Sequence, residues 1–487
     1  MEQAGQVGRT PSAEGPRRIA VVGGGIAGLV AARDLARAGF DVEVSERGER
    51  LGGAVALHRL AGVDLDAGAE AFANRSDTVA ALLRELGLEA SIVTPYRSPA
   101  WLQLPDLAAP IPATGILGIP GDPSAEDVRA VLGPVGSARA AEDLELPLGR
   151  WAERQPGNAA GISVADLVRD RMGDAVLERL VTPIVAGVHS VDPEALDVET
   201  AAPGLFDAML AHGSLARGVA AMRAKAPAGA AVSSLRGGMH TLISALVSDL
   251  EAHGGRVRLN APVRDLGAVD ADRIVLAVDA PAAAALLQTH PGLGSAAQKL
   301  AAATDPSSHG VALVTLVLDH QGLDVRPRGT GVLVAPGCAR ESGIAAKAMT
   351  HASAKWEWLR EALPAGHHVL RLSYGRVGAA AGLADRVSAT SSDEELLRVA
   401  RTDAERLLDV EVPPESVRDA DVVRWRHALP QSGPGHAERI AAVRAAVREP
   451  DEGPEVSLIG TWFSGTGLVR VISEARAVAA EISATAG

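Results

Sequence analysis

Residues 18–53 read RIAVVGGGIAGLVAARDLARAGFDVEVSERGERLGG. Arg18 to Val22 is a short apolar run rich in valine and isoleucine, the pattern of a strand buried on both faces. Gly23, Gly25 and Gly28 then complete G-x-G-x-x-G, and an alanine-rich stretch from Ile26 to Ala38 reads as a helix stopped by Gly39. A second strand spans Asp41–Ser45, and Glu46 closes it. Strand, glycine turn, helix and strand make a βαβ unit. In such a unit Gly23 permits the tight turn, Gly25 lets a pyrophosphate approach the backbone, and Gly28 lets helix and strand pack closely. The free N–H groups and positive end of the helix then face the phosphates. Glu46 follows Gly28 by 18 residues, where a carboxylate accepts hydrogen bonds from an adenosine ribose. Such charge-assisted bonds are worth about 1.5–3 kcal/mol each. A lone glycine motif says little, but here every part of the unit stands in order.

The remaining composition bounds the answer. A chain of 487 residues holds two or three domains with sizeable cores. Hydrophobic residues at 47% and charged residues at 22% are the proportions of a globular protein. A formal net charge of −13 with no basic run argues against nucleic acid as a partner. Cys338 is the only cysteine, which excludes an intrachain disulfide and any cysteine-cage metal or iron–sulfur centre. One thiol fits a reducing cytoplasm, the expected location. Residues 1–16 are polar and carry glycine and proline, so they read as a disordered tail without the apolar core of a secretory signal. No uninterrupted apolar run is long enough to span a bilayer. A peripheral membrane contact stays open, although aromatic anchors are scarce.

Periodicity places further elements. Thr78–Leu86 reads as an amphipathic helix ended by Gly87, and the proline-rich stretch 95–125 as loop or short strands. Residues 133–160 read as irregular, broken by Pro134, Pro147 and Pro156. A helix is expected from Ser163 to about Leu180, a turn region over Thr182–Leu205, and one helix over Phe206–Ala224. His240–His253 reads as a helix, while Arg256–Asn260, Pro262–Leu266 and Arg273–Val278 read as strands. Alternation over 310–318, 329–335, 344–350 and 367–374 predicts an antiparallel sheet, and Ser392–Leu408 a helix. The chain closes with a strand at Val456–Gly460, a glycine turn and a helix from Val471 to Ala486.

Three segments resemble the flavoproteins built on this βαβ unit. Glu49-Arg50-Leu51-Gly52-Gly53 resembles their R-x-G-G segment, and Asp64–Glu70 resembles the D-x-G-x-x stretch that continues the FAD cradle. Ser457–Val469, a strand and glycine turn leading to a helix, is similar to the C-terminal flavin segment of the amine-oxidase superfamily. The resemblance implies non-covalent FAD as cofactor. Its implied contacts are Gly23, Gly24, Gly25, Ile26, Ala27 and Gly28, then Glu46, Arg47, Arg50, Gly52, Gly53 and Ala54. Gly68, Ala69, Glu70 and Ala71 continue the cradle, with Val263, Trp462, Gly467, Leu468 and Val469 added from later segments.

Central motifs narrow the resemblance. Thr182–Leu196, the Lys355-Trp356 pair with Leu370–Arg376, Leu235–Leu246, and Arg424–Gln431 leading to Gly435-His436 resemble segments of the protoporphyrinogen/coproporphyrinogen oxidases. His189, Ser190 and Val191 replace that family's Tyr-Ala-Gly, Ser432 stands where it has Tyr, and Val469-Arg470 replaces a Pro-acid pair. The family resemblance implies an FAD-dependent, six-electron oxidation of a porphyrinogen, with dioxygen as acceptor and hydrogen peroxide released. The bacterial-type motifs, read with the arginine-over-lysine skew of GC-rich coding and the absence of an anchor, resemble those of the soluble actinobacterial members. That implies coproporphyrinogen III as substrate, coproporphyrin III as product, and a ferrochelatase as downstream partner in heme biosynthesis. Protoporphyrinogen IX, an amine or a carotenoid precursor as substrate, and a non-enzymatic flavin-bearing scaffold, stay open as alternatives. The hard step belongs to the flavin, so no catalytic residue is assigned; His427 and Trp462 are the candidates beside it. Arg75, Arg97 and Lys355 are the candidates for the substrate propionates. No metal site is expected.

The expected architecture is α/β, and α+β over the whole chain. A discontinuous Rossmann-like FAD-binding domain (17–75, 230–285 and 420–487) would carry an inserted substrate domain of helices and antiparallel sheet. The insertions are a mainly helical region, 76–229, and a sheet-bearing region, 286–419.

Overall fold

A computed structural model describes residues 17–486 except 114, 158, 160, 190, 226–230, 305–309, 376–386, 427–435 and 448–453. The expected tail over 1–16, Ser432 and the candidate His427 therefore lie outside the described residues. Five parallel strands form the first sheet, in the order Arg256–Arg258, Asp41–Ser45, Arg18–Val22, Arg273–Leu276, Glu455–Leu458. Three separate stretches of sequence thus meet in one sheet. The central strand buries Ile19 and Val21 completely, as a strand covered on both faces requires. Against it packs the helix Ile26–Arg37, whose Ala31, Ala32 and Ala36 are small enough to bring the helices His240–Ala252 and Leu468–Ala486 close.

A second sheet of seven strands runs Val417–Trp425, Val311–Asp319, His367–Tyr374, Ala348–His351, Gly331–Val334, Trp101–Gln103, Ala108–Pro110. Neighbours are antiparallel except Gly331–Val334 beside Trp101–Gln103, which run parallel. Alternation decides what each face covers. Val314, Leu316, Leu370 and Leu372 enter the large core with the helices Val164–Met172, Leu205–His212, Leu215–Lys225 and Asp393–Leu408. Val317 and Val369 turn the other way, onto Leu60 and Leu65 of the hairpin Leu57–Leu60/Val63–Asp66.

Several expectations are corrected. Residues 126–141 are helical through Pro134: Gly133, at φ +70°, kinks the helix, and Pro134 opens its second half, where no N–H is needed. Thr182–His189 is helical, not a turn region: it continues the helix from Asp174 through a π turn at Leu177–Val181, and Pro183 sits just after that turn. The stretch read as one helix over 206–224 splits at Gly213 (φ +73°), and Ser163–Leu180 breaks at Gly173 (φ +86°). Pro262–Leu266 joins no strand; Leu266 is buried, and its N–H donates to the Thr289 hydroxyl at 2.9 Å. The last helix begins at Leu468, earlier than the apolar period suggested. The boundary drawn at 420 cuts through Val417–Trp425, which belongs to the second sheet. Strands from the region read as mainly helical also enter that sheet.

Candidate functional site

The glycine turn separates residues the fold needs from residues it leaves facing open space. Gly23 (φ +108°) donates its N–H to the Ser45 carbonyl at 2.9 Å, and a Cβ there would lie 2.5 Å from the Ala277 carbonyl oxygen. A Cβ on Gly28 would lie 2.1 Å from the Gly23 carbonyl oxygen. Among the described residues, a Cβ on Gly25 would meet nothing within 4 Å, and the same holds for Gly460 and Gly467. Gly25 and Gly460 face each other across a cavity of about 690 Å³. Its walls are Gly25–Ala27, Gly52–Ala54, Ala277–Asp279 with Pro281 and Ala282, Arg424–Arg426, Gly460–Thr461, Val471 and Arg47. The size is that of a cofactor or small-molecule site.

Local bonding holds this cavity open. Glu46 accepts the Gly24 N–H on Oε2 at 2.8 Å and the Gly48 N–H on Oε1 at 2.7 Å, so both loops are tied to one carboxylate. The Gly52 N–H donates to the Gly24 carbonyl at 2.8 Å, which draws the second glycine pair against the first. Asp279 caps the helix Ala280–Leu287 through the Ala282 N–H at 2.9 Å, with Arg47 3.7 Å from its carboxylate. Arg47 and Arg426 against one Asp279 leave the wall net positive, as a diphosphate requires, while the Arg424 guanidinium is spent on Asp393 and on the Ala389 and Ser391 carbonyls. A second cavity of about 530 Å³ shares Arg47, Gly53, Arg424 and Trp425 with the first and continues past Arg50, His58 and Asp421. Arg50 donates to the Leu57 carbonyl at 3.3 Å, and His58 Nε2 lies 2.9 Å from Asp421 Oδ2.

The segment after Asp66 lies against this wall. The Ala67 and Ala69 N–H groups donate to the Ala56 and Ala54 carbonyls at 2.9 and 2.8 Å. A Cβ on Gly68 would come within 2.5 Å of the Ala54 carbonyl oxygen, so only glycine lets the two backbones touch. Trp425 Nε1 donates to the Ala67 carbonyl at 3.1 Å, and Arg371 Nη2 to the Gly68 carbonyl at 2.8 Å. Asp66 is occupied elsewhere, accepting the Met239 and His240 N–H groups that open the next helix. Glu70 turns its carboxylate away from the cavity, to Lys355 at 2.6 Å and Arg371 at 3.0 Å. Burial pushes the Glu70 carboxyl upward, but the charges of Lys355 and Arg371 outweigh it and hold the group below its usual range.

The other candidates fall in distinct places. Trp462 is buried and meets His436 edge-on, ring centroids 5.1 Å apart, while its carbonyl lies 3.1 Å from His436 Nε2. It packs in the core with Phe463, Leu458 and Val443, and Trp425 stands in the cavity wall instead. Ala71 follows Glu70 and packs with Leu65; Val263 packs at the edge of the core beneath Val22. Gly467 and Leu468 form the start of the last helix, with Val469 in its first turn. Arg75 is exposed beside Arg470, whose guanidinium is pushed down by burial first and then by Arg75. Arg97 is exposed in the loop whose Tyr96 N–H donates to the Lys355 carbonyl. Lys355, expected on substrate, is spent on Glu70: the two are 285 residues apart, and no local pattern announces the pair.

Sequence reasoning missed Ala277–Ala282, Arg424–Arg426, Gly460–Thr461 and Arg371. Arg424-Trp425-Arg426 stood inside a quoted motif, and their place at the end of a strand was the signal that they could reach a cavity.

Residues 26–483 match the family described as flavin containing amine oxidoreductase. The chain is 35% identical to the coproporphyrinogen III oxidase of Mycobacterium leprae, over 94% of this chain and 96% of that one. It is 33% identical to the protein of that name in Mycobacterium tuberculosis H37Rv, over 96% and 98%. A crystal structure from Exiguobacterium sp. 255-15, provisionally described as a protoporphyrinogen oxidase, superposes with a TM-score of 0.80 at 27% identity, covering 96% of this chain and 99% of that one.

Proposed function

This chain belongs to the flavin containing amine oxidoreductases and is an FAD-dependent oxidoreductase, and from that premise we propose that it oxidises coproporphyrinogen III to coproporphyrin III. The conversion removes six electrons and six protons, matched by three dioxygen molecules leaving as hydrogen peroxide. The observation that carries the reading is full-length similarity to mycobacterial coproporphyrinogen III oxidases at 33–35% identity. It is supported by a glycine-lined cavity whose Gly25 leaves room that no side chain among the described residues fills.

Gly23–Gly28 and the start of the first helix would hold the diphosphate, with Arg47 adding positive charge. Glu46 would take the adenosine ribose, and Ala54 with Gly68–Ala71 would border the ring system. Bound FAD supplies a two-electron acceptor. Three hydrides leave meso carbons, and the three protons that go with them come from two pyrrole N–H groups and the last meso CH2, all of them the substrate's own, so this chain would position the macrocycle rather than supply a dedicated base. Arg75 and Arg97 are exposed and have no acidic partner among the described residues, which leaves them free for propionates. Lys355 is engaged with Glu70 and is withdrawn from that role.

We place the FAD-binding unit in 17–75, 230–285 and 426–487, with Val417–Trp425 assigned to the substrate side. The reading also brings a cytoplasmic location and a metal chelatase as consumer of the product. Among the described residues no helix is long and apolar enough to cross a membrane.

The deciding experiment offers flavin-loaded protein coproporphyrinogen III and protoporphyrinogen IX in parallel, in air, and follows porphyrin fluorescence and peroxide. Faster turnover of the four-propionate substrate is expected. Preference for protoporphyrinogen IX would move the pathway step, and no turnover of either would refute the porphyrinogen assignment.

A further inference from the structure

Lys355, Glu70 and Arg371 form a cluster that neither cofactor nor substrate contact accounts for. Lys355 Nζ lies 2.6 Å from Glu70 Oε1 and Arg371 Nη1 lies 3.0 Å from Glu70 Oε2, with side-chain exposures of 20%, 17% and 9%. Two cations against one carboxylate leave a net single positive charge shielded from water. Arg371 Nε, also buried, has no hydrogen-bond partner among the described residues. A partly unsatisfied buried guanidinium is costly unless something nearby benefits from its charge.

Its position says what benefits. Arg371 bonds the Gly68 carbonyl, and the neighbouring Ala69 N–H bonds Ala54, a residue of the cavity wall. The cluster is therefore one hydrogen-bonded backbone layer behind the surface on which the flavin is placed. Across the sheet, Asp421, Thr315 and Arg371 lie in register on one face. Asp421 is two strands away, half-exposed and bonded to His58, so water screens its charge far more than that of the cluster.

We propose that Lys355, Arg371 and Glu70 are a charge-setting unit behind the flavin cradle, stabilising the negative charge that reduction places on the flavin and so raising its midpoint potential. The proposal rests on the reading that this cavity holds FAD. The residues act through space and are positioning residues, not catalytic ones. Glu70 limits the charge to one, and Lys355 and Arg371 supply it. The two signs make the unit testable, because removing the lysine and neutralising the glutamate must act in opposite directions.

The experiment measures the midpoint potential of bound FAD in the full-length wild type, Lys355→Met, Lys355→Arg and Glu70→Gln, by anaerobic dye equilibration. Lys355→Met is expected to shift the oxidised-to-reduced balance about tenfold toward oxidised flavin, about 30 mV lower for a two-electron couple. Glu70→Gln is expected to shift it upward by a similar factor, and Lys355→Arg to keep the wild-type value. Equal potentials in all four proteins, or shifts of Lys355→Met and Glu70→Gln in the same direction, would overturn the proposal. An unchanged potential with a raised KM for the porphyrinogen in Lys355→Met would assign the lysine to substrate instead and overturn it too. Should Lys355→Met lose its flavin, Glu70→Gln decides alone: a rise supports the unit and no rise refutes it. A wild-type chain that binds no FAD would defeat the cofactor reading itself, a separate outcome visible before any variant is compared.

Discussion

Three glycines within six residues, Gly23, Gly25 and Gly28, have unlike jobs, and their substitutions should part company. Gly28→Ala drives a Cβ to 2.1 Å from a backbone oxygen that has nowhere to move, so a loss of several kcal/mol, of the order of 3, is expected in denaturant unfolding. Gly25 has φ −73° and an empty neighbourhood, so valine is sterically acceptable to the chain itself. Gly25→Val should therefore keep the unfolding temperature of the flavin-free protein and lose FAD affinity by about a hundredfold, or ~2.7 kcal/mol, in a fluorescence titration. Glu46→Ala should lose FAD as well, because the carboxylate also ties Gly24 to Gly48. Retained stoichiometric flavin in both Gly25→Val and Glu46→Ala would contradict the cradle. The roles of Gly23, Gly25 and Gly28 are legible in sequence because they are steric and local. That Glu70 faces Lys355 is not, because nothing within a few residues of either dictates the pairing.

At the scale of elements, three helices meet on one guanidinium and a fourth joins through a shared carboxylate. Arg33, 1% exposed in Ile26–Arg37, reaches Asp34 and Glu85 at 2.7 Å and Asp249 at 2.6 Å, joining the helices Thr78–Glu85 and His240–Ala252. Arg476 of the last helix shares Glu85 at 2.8 Å. Arg33→Met should cost about 1.5–3 kcal/mol in chemical unfolding, since it removes charge-assisted hydrogen bonds to three partly buried carboxylates that keep Arg476 or Arg37 as a second cation. A second device couples two strands: His351 and His368 are buried with Nε2 and Nδ1 3.1 Å apart. Burial first, then His368, pushes His351 down to about 3, and burial lowers His368 as well. An unfolded histidine titrates near 6.5, so below that pH the unfolded chain binds more protons. Stability on this account is complete above pH 6.5 and falls by about 3 kcal/mol by pH 4. Urea midpoints across that range should drop steeply in the wild type and less steeply in His351→Phe; parallel acid limbs would refute the assignment. Element type was readable where period and punctuation agree, as in Arg18–Val22 and Asp41–Ser45, matched to the residue. It failed at Pro134, which opens a helix half after Gly133, and at Pro183, which follows a π turn inside a helix, because each carries the same letter as a proline that breaks a helix.

For the whole molecule, the cavity is the place where distant parts of the chain meet. Its walls come from the glycine loops near the N-terminus, from Ala277–Ala282, from the end of Val417–Trp425 and from Gly460–Thr461. A ligand touching all four should stabilise both sheets together. FAD at a hundred times its Kd is expected to add about 2.7 kcal/mol to folding stability, read as a raised unfolding temperature over the flavin-free protein. Hydrogen exchange should slow at Arg424–Arg426 as well as at Gly23–Gly28; protection confined to the glycine turn would argue that the second sheet plays no part in the site.

The sequence by itself determined the βαβ unit, the acid that closes it, the flavin family and the antiparallel strands, because glycine sterics, helix and strand periods and short motifs act over a few residues. The tertiary structure alone decided that Trp425 and not Trp462 walls the cavity, that Lys355 serves Glu70, and that Arg371 stands behind Gly68. Those facts depend on which strand of one sheet lies against which loop of the other. The burial and charge pairing that settle them act between groups hundreds of residues apart, a distance that no local period records.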